Sequence, residues 1–433
     1  MIISFAATNF RSIRERAEIS MKKSGLSGHM ENVHLIDKRN GVLKSAVIYG
    51  PNASGKSNLL QAMVALQFLV ARSSRFKTDQ KILTYEPFRL DMESVRQPVI
   101  LEISFFSGSI RYDFSVSYLQ NRILSEELSF YPRKVKSLLY NRSELKEFKY
   151  GEYYRGGKRN IEKLVQDNQL FISKAAENNP ESLKDPYLFL SEKLIIFPFL
   201  GLNDENELAQ LYIRKIAENK DSAFTRIFNK LICSLDTGIK EIKAEETDWS
   251  RITFAQPVEE NVVNEIKERY KYDVRTVHPV FSGGTEAGVA EFKLKDESTG
   301  TQSLLVKAGI ILEVLESGGV LAIDELEKSL HPAITRYLIR LFHSRITNPN
   351  NAQLIFATHD ISLLSGDTFR RDQLWFTEKD DFGGTSLFNC AKIGGIRLHV
   401  PLDKWYSSGK LGATPLISDT EFLIEMQNNE PPL

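Results

Sequence analysis

A short run of glycine, lysine and serine residues could bind the phosphates of a nucleotide. The run GPNASGKS spans residues 50–57 and matches the spacing G-x-x-x-x-G-K-[ST]. In this arrangement a strand leads into a loop whose backbone N–H groups surround phosphate oxygens at a helix N-terminus. Gly50 and Gly55 allow a close backbone approach that side chains would block. The pattern predicts Lys56 at the β- and γ-phosphates of ATP and Ser57 at Mg²⁺. The residues predicted to contact the nucleotide here are Gly50, Pro51, Asn52, Ala53, Ser54, Gly55, Lys56, Ser57 and Asn58.

A later acidic pair could complete a hydrolytic site. The apolar run GGVLAIDE ends in Asp324 and Glu325. Phosphoryl transfer to water needs a metal that neutralises phosphate charge and a group that orients the attacking water. The pair therefore predicts Asp324 as a Mg²⁺ ligand and Glu325 as the catalytic base. The next apolar strand, QLIFATH, ends in His359, which is predicted beside the γ-phosphate as a third catalytic residue with Glu325 and Lys56.

The elements around these motifs alternate between strands and helices. Residues 1–47 have strand periodicity, and the loop is followed by a helical pattern. The runs PVILEISFF, IRYDFSVSYL and ILSEELSFYP predict an antiparallel lobe. From about residue 160 to 235 the pattern predicts helices, with breaks at Pro180, Pro186 and Pro198. The chain then returns to strands, a helix from about residue 299, and a strand–helix–strand alternation that indicates a parallel sheet.

We therefore expect an α/β fold with a mixed or parallel sheet core, an antiparallel β lobe and a helical insertion. The predicted domains are a split head comprising residues 1–160 and 236–433, with a helical insertion at residues 161–235. The first part of the head carries the phosphate loop, and the second carries the acidic strand and the tail.

Composition limits the classes of function. The chain has 433 residues, with 56 Lys and Arg against 56 Asp and Glu, so its net charge does not favour indiscriminate binding to nucleic acid or membrane. Cys233 and Cys390 stand far apart without metal-ligand spacing, which favours a reducing compartment. No run reaches the ~20 apolar residues that span a bilayer. The sequence predicts a soluble cytoplasmic protein.

The order of the motifs resembles the ATP-binding-cassette head of the SMC, RecF and OLD group of ATPases. The resemblance implies a serine-glycine signature that reaches the γ-phosphate of a second subunit, and two strings compete for this role. FSGGTE, at residues 281–286, is followed by a strand pattern and is interpreted as a hairpin turn. ESTGTQ starts a helix that leads into the acidic strand, so Ser298 and Gly300 are predicted at a positive helix N-terminus, followed by Thr301 and Gln302.

The same resemblance suggests further roles. Ser329, Leu330 and His331 would form the loop that communicates between the two ATP sites. Phe10 and Arg11 could stack on adenine, although Phe10 could equally be a core residue. Gln80 and Gln97 are both candidates for the glutamine that couples Mg²⁺ to the inserted lobe, and the sequence does not choose between them.

The chain also resembles a narrower group, the RloA- and AbiL-like ATPases of bacterial phage-defence operons. The supporting strings include NFRSI, LFISKAAENN, DELEKSLHP, RRDQLWFTEKDDFGGTSL and GKLGATP. The resemblance implies a homodimer or higher oligomer that closes around two ATP·Mg²⁺. It also implies regulation of a separately encoded effector, a nuclease or a toxin. No nuclease motif follows residue 360 in the chain itself.

Two other functions remain open. Between Tyr131 and Arg159 the chain has nine Lys and Arg against three Glu, interleaved with aromatic residues. This segment could bind nucleic acid, as in a RecF- or SMC-like DNA-repair ATPase. Alternatively it is a solvated hairpin with tyrosines packed beneath it. The other possibility is a slowly hydrolysing scaffold that is locked by ATP and holds a toxin.

Overall fold

The computed structural model describes residues 1–133, 135–143, 147–178, 180–197, 205–235, 237–252, 254, 256, 258–365, 368–395, 400–414 and 426. The strands are β1 (Ile2–Thr8), β2 (Ala17–Ser20), β3 (Val33–Leu35), β4 (Gly41–Leu43), β5 (Ser45–Tyr49), β6 (Val99–Ser107), β7 (Ile110–Tyr118), β8 (Ile123–Tyr131), β9 (Ser137–Arg142), β10 (Phe148–Tyr150), β11 (Leu194–Phe197), β12 (Glu241–Glu246), β13 (Tyr272–Ser282), β14 (Thr285–Lys293), β15 (Val320–Ile323), β16 (Gln353–Ala357), β17 (Leu374–Lys379) and β18 (Thr385–Asn389). The α-helices are α1 (Lys56–Arg72), α2 (Arg159–Leu164), α3 (Phe171–Ala176), α4 (Glu181–Leu188), α5 (Glu205–Glu218), α6 (Ala223–Cys233), α7 (Glu260–Arg269), α8 (Thr299–Ser317), α9 (Pro332–His343) and α10 (Leu402–Ser407).

A six-stranded sheet forms the centre of the fold, in the order β11-β15-β16-β5-β17-β18. The first five strands are parallel, and β18 pairs antiparallel with β17. Strands β5, β15 and β16 are buried along their whole length. Their continuous apolar runs follow from this position, because parallel strands are covered on both faces.

An antiparallel sheet of seven strands packs beside the centre, in the order β10-β9-β8-β7-β6-β1-β2. Strands β6 and β7 alternate buried and less buried residues, as expected for a sheet with one wet face. Helix α1 lies between the two sheets, and its apolar residues join a core shared with both. The expected α/β fold with a parallel core and an antiparallel lobe is confirmed.

The segment predicted as an all-helical insertion contains a strand of the central sheet. β11 pairs in parallel with β15, so the prediction of helices alone is wrong at Leu194–Phe197. A second correction concerns Pro186, which lies inside α4 rather than at a break. Proline removes one backbone donor from a helix, and here the chain continues into a wider π-turn at Phe189–Lys193. Pro180 does precede α4, whereas Pro198 is outside the described residues.

The remaining helical predictions differ in detail. No break is predicted before Pro180, but this part of the chain forms two helices, α2 and α3, separated by residues 165–170. Helices α5 and α6 are likewise separate, with Ser222 capping α6 by accepting the Thr225 backbone N–H. The domain boundaries at residues 160 and 235 stay a prediction.

Two chain-wide features bear on function. Within the described residues, no helix is long and apolar enough to cross a membrane. Both cysteines are free thiols, with Cys390 buried in the core and Cys233 partly buried. Burial raises the pKa of the Cys390 thiol to about 12.

Candidate functional site

The predicted phosphate loop, the acidic pair and His359 lie at one edge of the central sheet. Gly50 directly follows β5, Asp324 directly follows β15, and His359 comes two residues after β16. Strand β16 lies between β15 and β5, with Ile323 level with Phe356 and Ala357 level with Ile48. Because the strands are parallel, their carboxyl ends share this edge, where open α/β sheets bind ligands.

The phosphate loop has the backbone that the glycine spacing predicts. Gly55 adopts a φ of 106° just before α1, and a Cβ there would lie 2.9 Å from Ser12 Oγ. A Cβ at Gly50 would lie 2.7 Å from the Thr377 carbonyl oxygen. The two positions therefore require glycine. Pro51, Asn52 and Ala53 form the outer rim of the loop, whereas Ser54 is buried and Ser57 is exposed.

Hydroxyl groups from distant segments hold this loop in place, and sequence reasoning missed them. Thr385 on β18 donates to the Ser54 carbonyl at 2.9 Å, and its hydroxyl lies 2.7 Å from that of Ser12. The Ser54 hydroxyl lies 2.6 Å from that of Thr377 on β17. Asn58 Nδ2 donates to Ser12 Oγ at 2.6 Å. No local pattern marks these residues, since their role depends on contacts formed across the fold.

Lys56 is enclosed by the loop that it follows. Its ammonium donates to the carbonyls of Gly50 at 2.9 Å and Pro51 at 3.1 Å. Burial lowers the pKa of Lys56, and the carboxylates of Asp324, Glu325 and Glu327 oppose that effect by raising it. The lysine and the acidic loop after β15 therefore share one electrostatic environment.

The acidic pair lies in a turn at the end of β15 that has an unusual backbone conformation. The Asp324 backbone N–H donates to the Phe197 carbonyl of β11 at 3.1 Å. Glu325 has a φ of 50°, which is uncommon for a residue with a side chain. Asp324 is half-buried and Glu325 is exposed. The turn thus separates the two carboxylates into an inner and an outer group.

These residues fit a nucleotide and Mg²⁺. The narrow cradle that only glycine allows, the buried Lys56 ammonium and the exposed Ser57 hydroxyl form a set of groups that suits a phosphate site. Within the described residues, no group of three or more His, Cys, Asp or Glu could hold a metal by itself. Magnesium needs no such cage, since one or two protein oxygens, waters and phosphates complete its shell.

His359 is exposed at the end of its strand, and a carboxylate holds its backbone. The His359 backbone N–H donates to Glu327 Oε1 at 2.7 Å. Tyr49, at the end of β5, donates to the neighbouring Asp360 carbonyl at 3.1 Å. The sequence placed His359 at this edge, but it did not identify Glu327.

The two signature candidates are distinguished by their secondary structure. Gly283 and Gly284 have φ values of 60° and 85° in the turn between β13 and β14, so FSGGTE forms the expected hairpin. Ser298 caps α8 by accepting the Thr301 backbone N–H at 3.1 Å, and Ser298 and Thr299 are exposed. A Cβ at Gly300 would lie 2.7 Å from the Ser329 carbonyl oxygen. The N-terminus of α8 therefore packs on the loop that follows the acidic pair.

That loop has two further supports. Lys307 of α8 donates to the Lys328 carbonyl at 2.6 Å. Ser329 has a φ of 62°, and His331 caps α9 through its side chain, which accepts the Ala333 backbone N–H at 3.2 Å. Leu330 is partly buried against the second core cluster. The segment predicted as a communicating loop thus contacts both α8 and α9.

Phe10 and Arg11 have different surroundings. Phe10 is 2% exposed and belongs to the core, so its ring is not available for stacking on adenine. Arg11 is half-buried, forms an ion pair with Glu86, and lines a cleft of about 300 Å³ beside Ser12. Because Ser12 contacts the predicted phosphate loop, this cleft adjoins the candidate phosphate site.

The backbone carbonyls of the two glutamine candidates accept hydrogen bonds from distant side chains, Asn168 Nδ2 to Gln80 and Asn9 Nδ2 to Gln97, each at 2.9 Å. Gln80 Oε1 accepts the Lys77 backbone N–H at 2.9 Å. The Gln97 carbonyl accepts a hydrogen bond from the Tyr85 hydroxyl at 2.9 Å. These contacts support neither residue as the coupling glutamine.

The basic segment supports the solvated-hairpin interpretation. Tyr140 and Tyr154 are buried in the core, and the Arg142 guanidinium is buried and donates to the Gln169 carbonyl at 2.6 Å. Lys158 lies over the rings of Tyr150 and Tyr154. Lys136 pairs with Glu127 at 3.2 Å, and Lys134 is outside the described residues. The aromatic rings that could stack on bases are therefore mostly used in packing.

Several solved structures resemble the chain at low identity. A structure titled as an Smc head bound to the C-winged helix domain of ScpA has 12% identity and a TM-score of 0.43, covering 90% of this chain and 97% of that one. An SMC head domain from Thermotoga maritima has 14% identity and a TM-score of 0.38, with 90% and 98% covered. A third is an Smc head domain with an extended coiled coil, bound to the C-terminal domain of ScpA derived from Pyrococcus furiosus. It has 10% identity and a TM-score of 0.37, with 95% and 98% covered.

No curated protein matches the chain significantly. A protein-family profile does match, over residues 45–365, and it is described as "AAA domain, putative AbiEii toxin, Type IV TA system". The match begins at β5, includes the phosphate loop and the acidic pair, and ends just beyond His359, so it covers the three strand ends that form the site and most of the chain. This protein belongs to that AAA family.

Proposed function

We propose that the protein is an ATPase that binds ATP and Mg²⁺ at the carboxyl edge of its central sheet. The observation that carries the proposal is the convergence of the phosphate loop, the acidic pair and His359 on three neighbouring parallel strands. The electrostatic interaction of Lys56 with Asp324, Glu325 and Glu327 adds support. Phosphoryl transfer needs positive charge near the phosphate oxygens and carboxylates that hold the metal and orient the attacking water.

Each residue has a role that follows from its place. Lys56 would exchange the carbonyls of Gly50 and Pro51 for phosphate oxygens, which satisfy an ammonium better. Ser57 and Asp324 would hold Mg²⁺, which when bound neutralises phosphate charge. Glu325, on the outer side of its turn, would orient water and accept its proton. The exposed His359 would donate a hydrogen bond to the γ-phosphate.

We further propose that two copies close head-to-tail around ATP as a homodimer or as the unit of a larger assembly. The N-terminus of α8 supports this arrangement, because Ser298 and Thr299 are exposed while Gly300 is fixed against Ser329. A helix N-terminus of this kind favours an anion, and a second subunit's γ-phosphate supplies one.

The biological role proposed is regulation of a separately encoded effector, a nuclease or toxin, in cytoplasmic anti-phage defence. The family description names a putative toxin of a type IV toxin–antitoxin system, which is a related context. The free cysteines agree with a reducing compartment. Co-purification with the product of an adjacent nuclease or toxin gene tests this part, and a consistent failure to co-purify counts against it.

Multiple-turnover phosphate release by the purified protein tests the central proposal. We expect Mg²⁺-dependent turnover that Glu325→Gln lowers about 100-fold or more without loss of ATP binding. Lys56→Ala should abolish binding itself. Turnover limited to one phosphate per site would instead favour the ATP-locked scaffold.

A DNA-repair role makes a separate prediction. It requires ATP-dependent, salt-sensitive DNA binding that weakens when four basic residues are neutralised, namely Lys134, Lys136, Lys158 and Arg159. The packing of Tyr140 and Tyr154 into the core does not favour it.

A further inference from the structure

A third carboxylate, Glu327, faces the nucleotide site without a role in the phosphate or metal motifs. Its Oε1 accepts the His359 backbone N–H at 2.7 Å, and its charge raises the pKa of Lys56. Its Oε2 is buried and has no hydrogen-bond partner among the described residues. Glu327 thus links the ends of β15 and β16.

The backbone beyond β16 shows why this contact matters. The Thr358 backbone N–H still donates to the Ile48 carbonyl of β5 at 3.1 Å. The Asp360 backbone N–H donates to Thr358 Oγ1 at 3.0 Å. Between them, the His359 N–H bonds to the Glu327 side chain rather than to a strand. Glu327 therefore sets the position from which the His359 side chain projects.

Glu327 itself sits on the turn that carries the catalytic base. The Lys328 N–H donates to the Glu325 carbonyl at 3.0 Å, and the Leu330 N–H donates to the Glu327 carbonyl at 2.8 Å. Lys307 fixes the same turn from α8. The turn therefore carries both the proposed base, Glu325, and Glu327, which contacts the His359 backbone.

We propose that Glu327 is a positioning residue for ATP hydrolysis, an inference that rests on the proposed ATPase function. It holds the His359 backbone so that the imidazole can contact the same γ-phosphate that is attacked by the water bound to Glu325. It acts through His359 and needs only an acceptor oxygen at Oε1. Its effect should therefore appear in kcat more than in the KM for ATP.

A set of four variants tests this role by steady-state phosphate release. Glu327→Ala removes the acceptor and should lower kcat about 10- to 100-fold, and His359→Ala should lower it by a similar factor. Glu327→Gln keeps an acceptor oxygen and should stay within about threefold of wild type. The double variant Glu327→Ala/His359→Ala should match His359→Ala alone, since coupled residues are not additive. Additive losses, or a Gln variant as impaired as the Ala variant, would overturn the proposal.

Hydrogen exchange without nucleotide separates this inference from the proposed function. In Glu327→Ala, a peptide covering residues 355–364 should exchange the His359 amide about tenfold faster or more than in wild type, whereas Glu327→Gln should remain protected. Lys328→Ala, an exposed neighbour on the same turn, is the matched control and should leave this amide unchanged. Equal protection in Glu327→Ala would disprove the contact. A wild-type protein that shows the expected exchange but no turnover would instead disprove the ATPase.

Discussion

The hydroxyl groups of Ser12 and Thr385 lie 2.7 Å apart and join the first and last parts of the chain beneath the phosphate loop. The Thr385 backbone N–H also donates to the Ser12 carbonyl at 2.7 Å. A Cβ at Gly55 would contact both side chains. The shape of the loop therefore depends on residues far from it in sequence.

Removing the Thr385 hydroxyl should weaken nucleotide binding. Thr385→Val keeps the side-chain volume but leaves the Ser54 carbonyl without this donor, at a cost of about 1 kcal/mol. We expect the Kd for ATP to rise about fivefold in titrations with a fluorescent nucleotide. Thr385→Ser retains the hydroxyl and serves as the control. Equal affinity of the Val variant and wild type would show that the loop holds its shape without this bond.

Gly300→Ala should impair ATP-dependent dimerisation. Alanine is normally the better helix residue by about 0.5–1 kcal/mol, but here its Cβ would meet the Ser329 carbonyl at 2.7 Å. The backbone at Ser329 cannot move away without disturbing its own turn, so the N-terminus of α8 should be displaced. We expect this overpacking to cost about 1–3 kcal/mol. Analytical ultracentrifugation with ATP should show about tenfold weaker association, while Glu316→Ala, at an exposed position in the last turn of α8, associates as wild type does. A normal dimer in the Gly300 variant would contradict this signature assignment.

Stability should fall in mild acid because of His343. Burial lowers the pKa of His343 to about 3, below its ordinary value of 6.5, and its Nε2 lies 2.8 Å from the Ser45 hydroxyl. Between these two pH values the unfolded chain binds a proton that the folded chain does not. The unfolding free energy therefore decreases as pH falls below 6.5, by about 2 kcal/mol at pH 5 from this group. Thermal unfolding at pH 7 and pH 5 should show a smaller drop in Tm for His343→Gln than for wild type, and equal drops would contradict the assignment.

The phosphate loop and the strand ends were predictable because their signals are local. The spacing from Gly50 to Ser57 specifies one backbone geometry, and the buried strands before Gly50, Asp324 and His359 are continuous apolar runs. The hairpin at FSGGTE and the helix that starts after Ser298 are confirmed, because a glycine pair between two strands predicts a hairpin. The signature role of Ser298 stays a prediction.

Other features could not be predicted from the sequence. The run LIIF of β11 has only four apolar residues, and periodicity alone does not distinguish so short a strand from a buried helical segment. The sequence predicts a break at Pro186, but this residue is buried inside α4. Glu327 resembles any other acidic residue until the fold brings β16 beside β15 and places His359 against it.

The most direct test is mass photometry of wild type and Glu325→Gln, each with and without ATP·Mg²⁺, beside phosphate release. The account predicts that the variant stops turning over and accumulates a dimer or larger assembly only with ATP. Unchanged turnover in the variant would show that Glu325 is not the catalytic base, and would contradict the assignment of the site to this edge of the sheet.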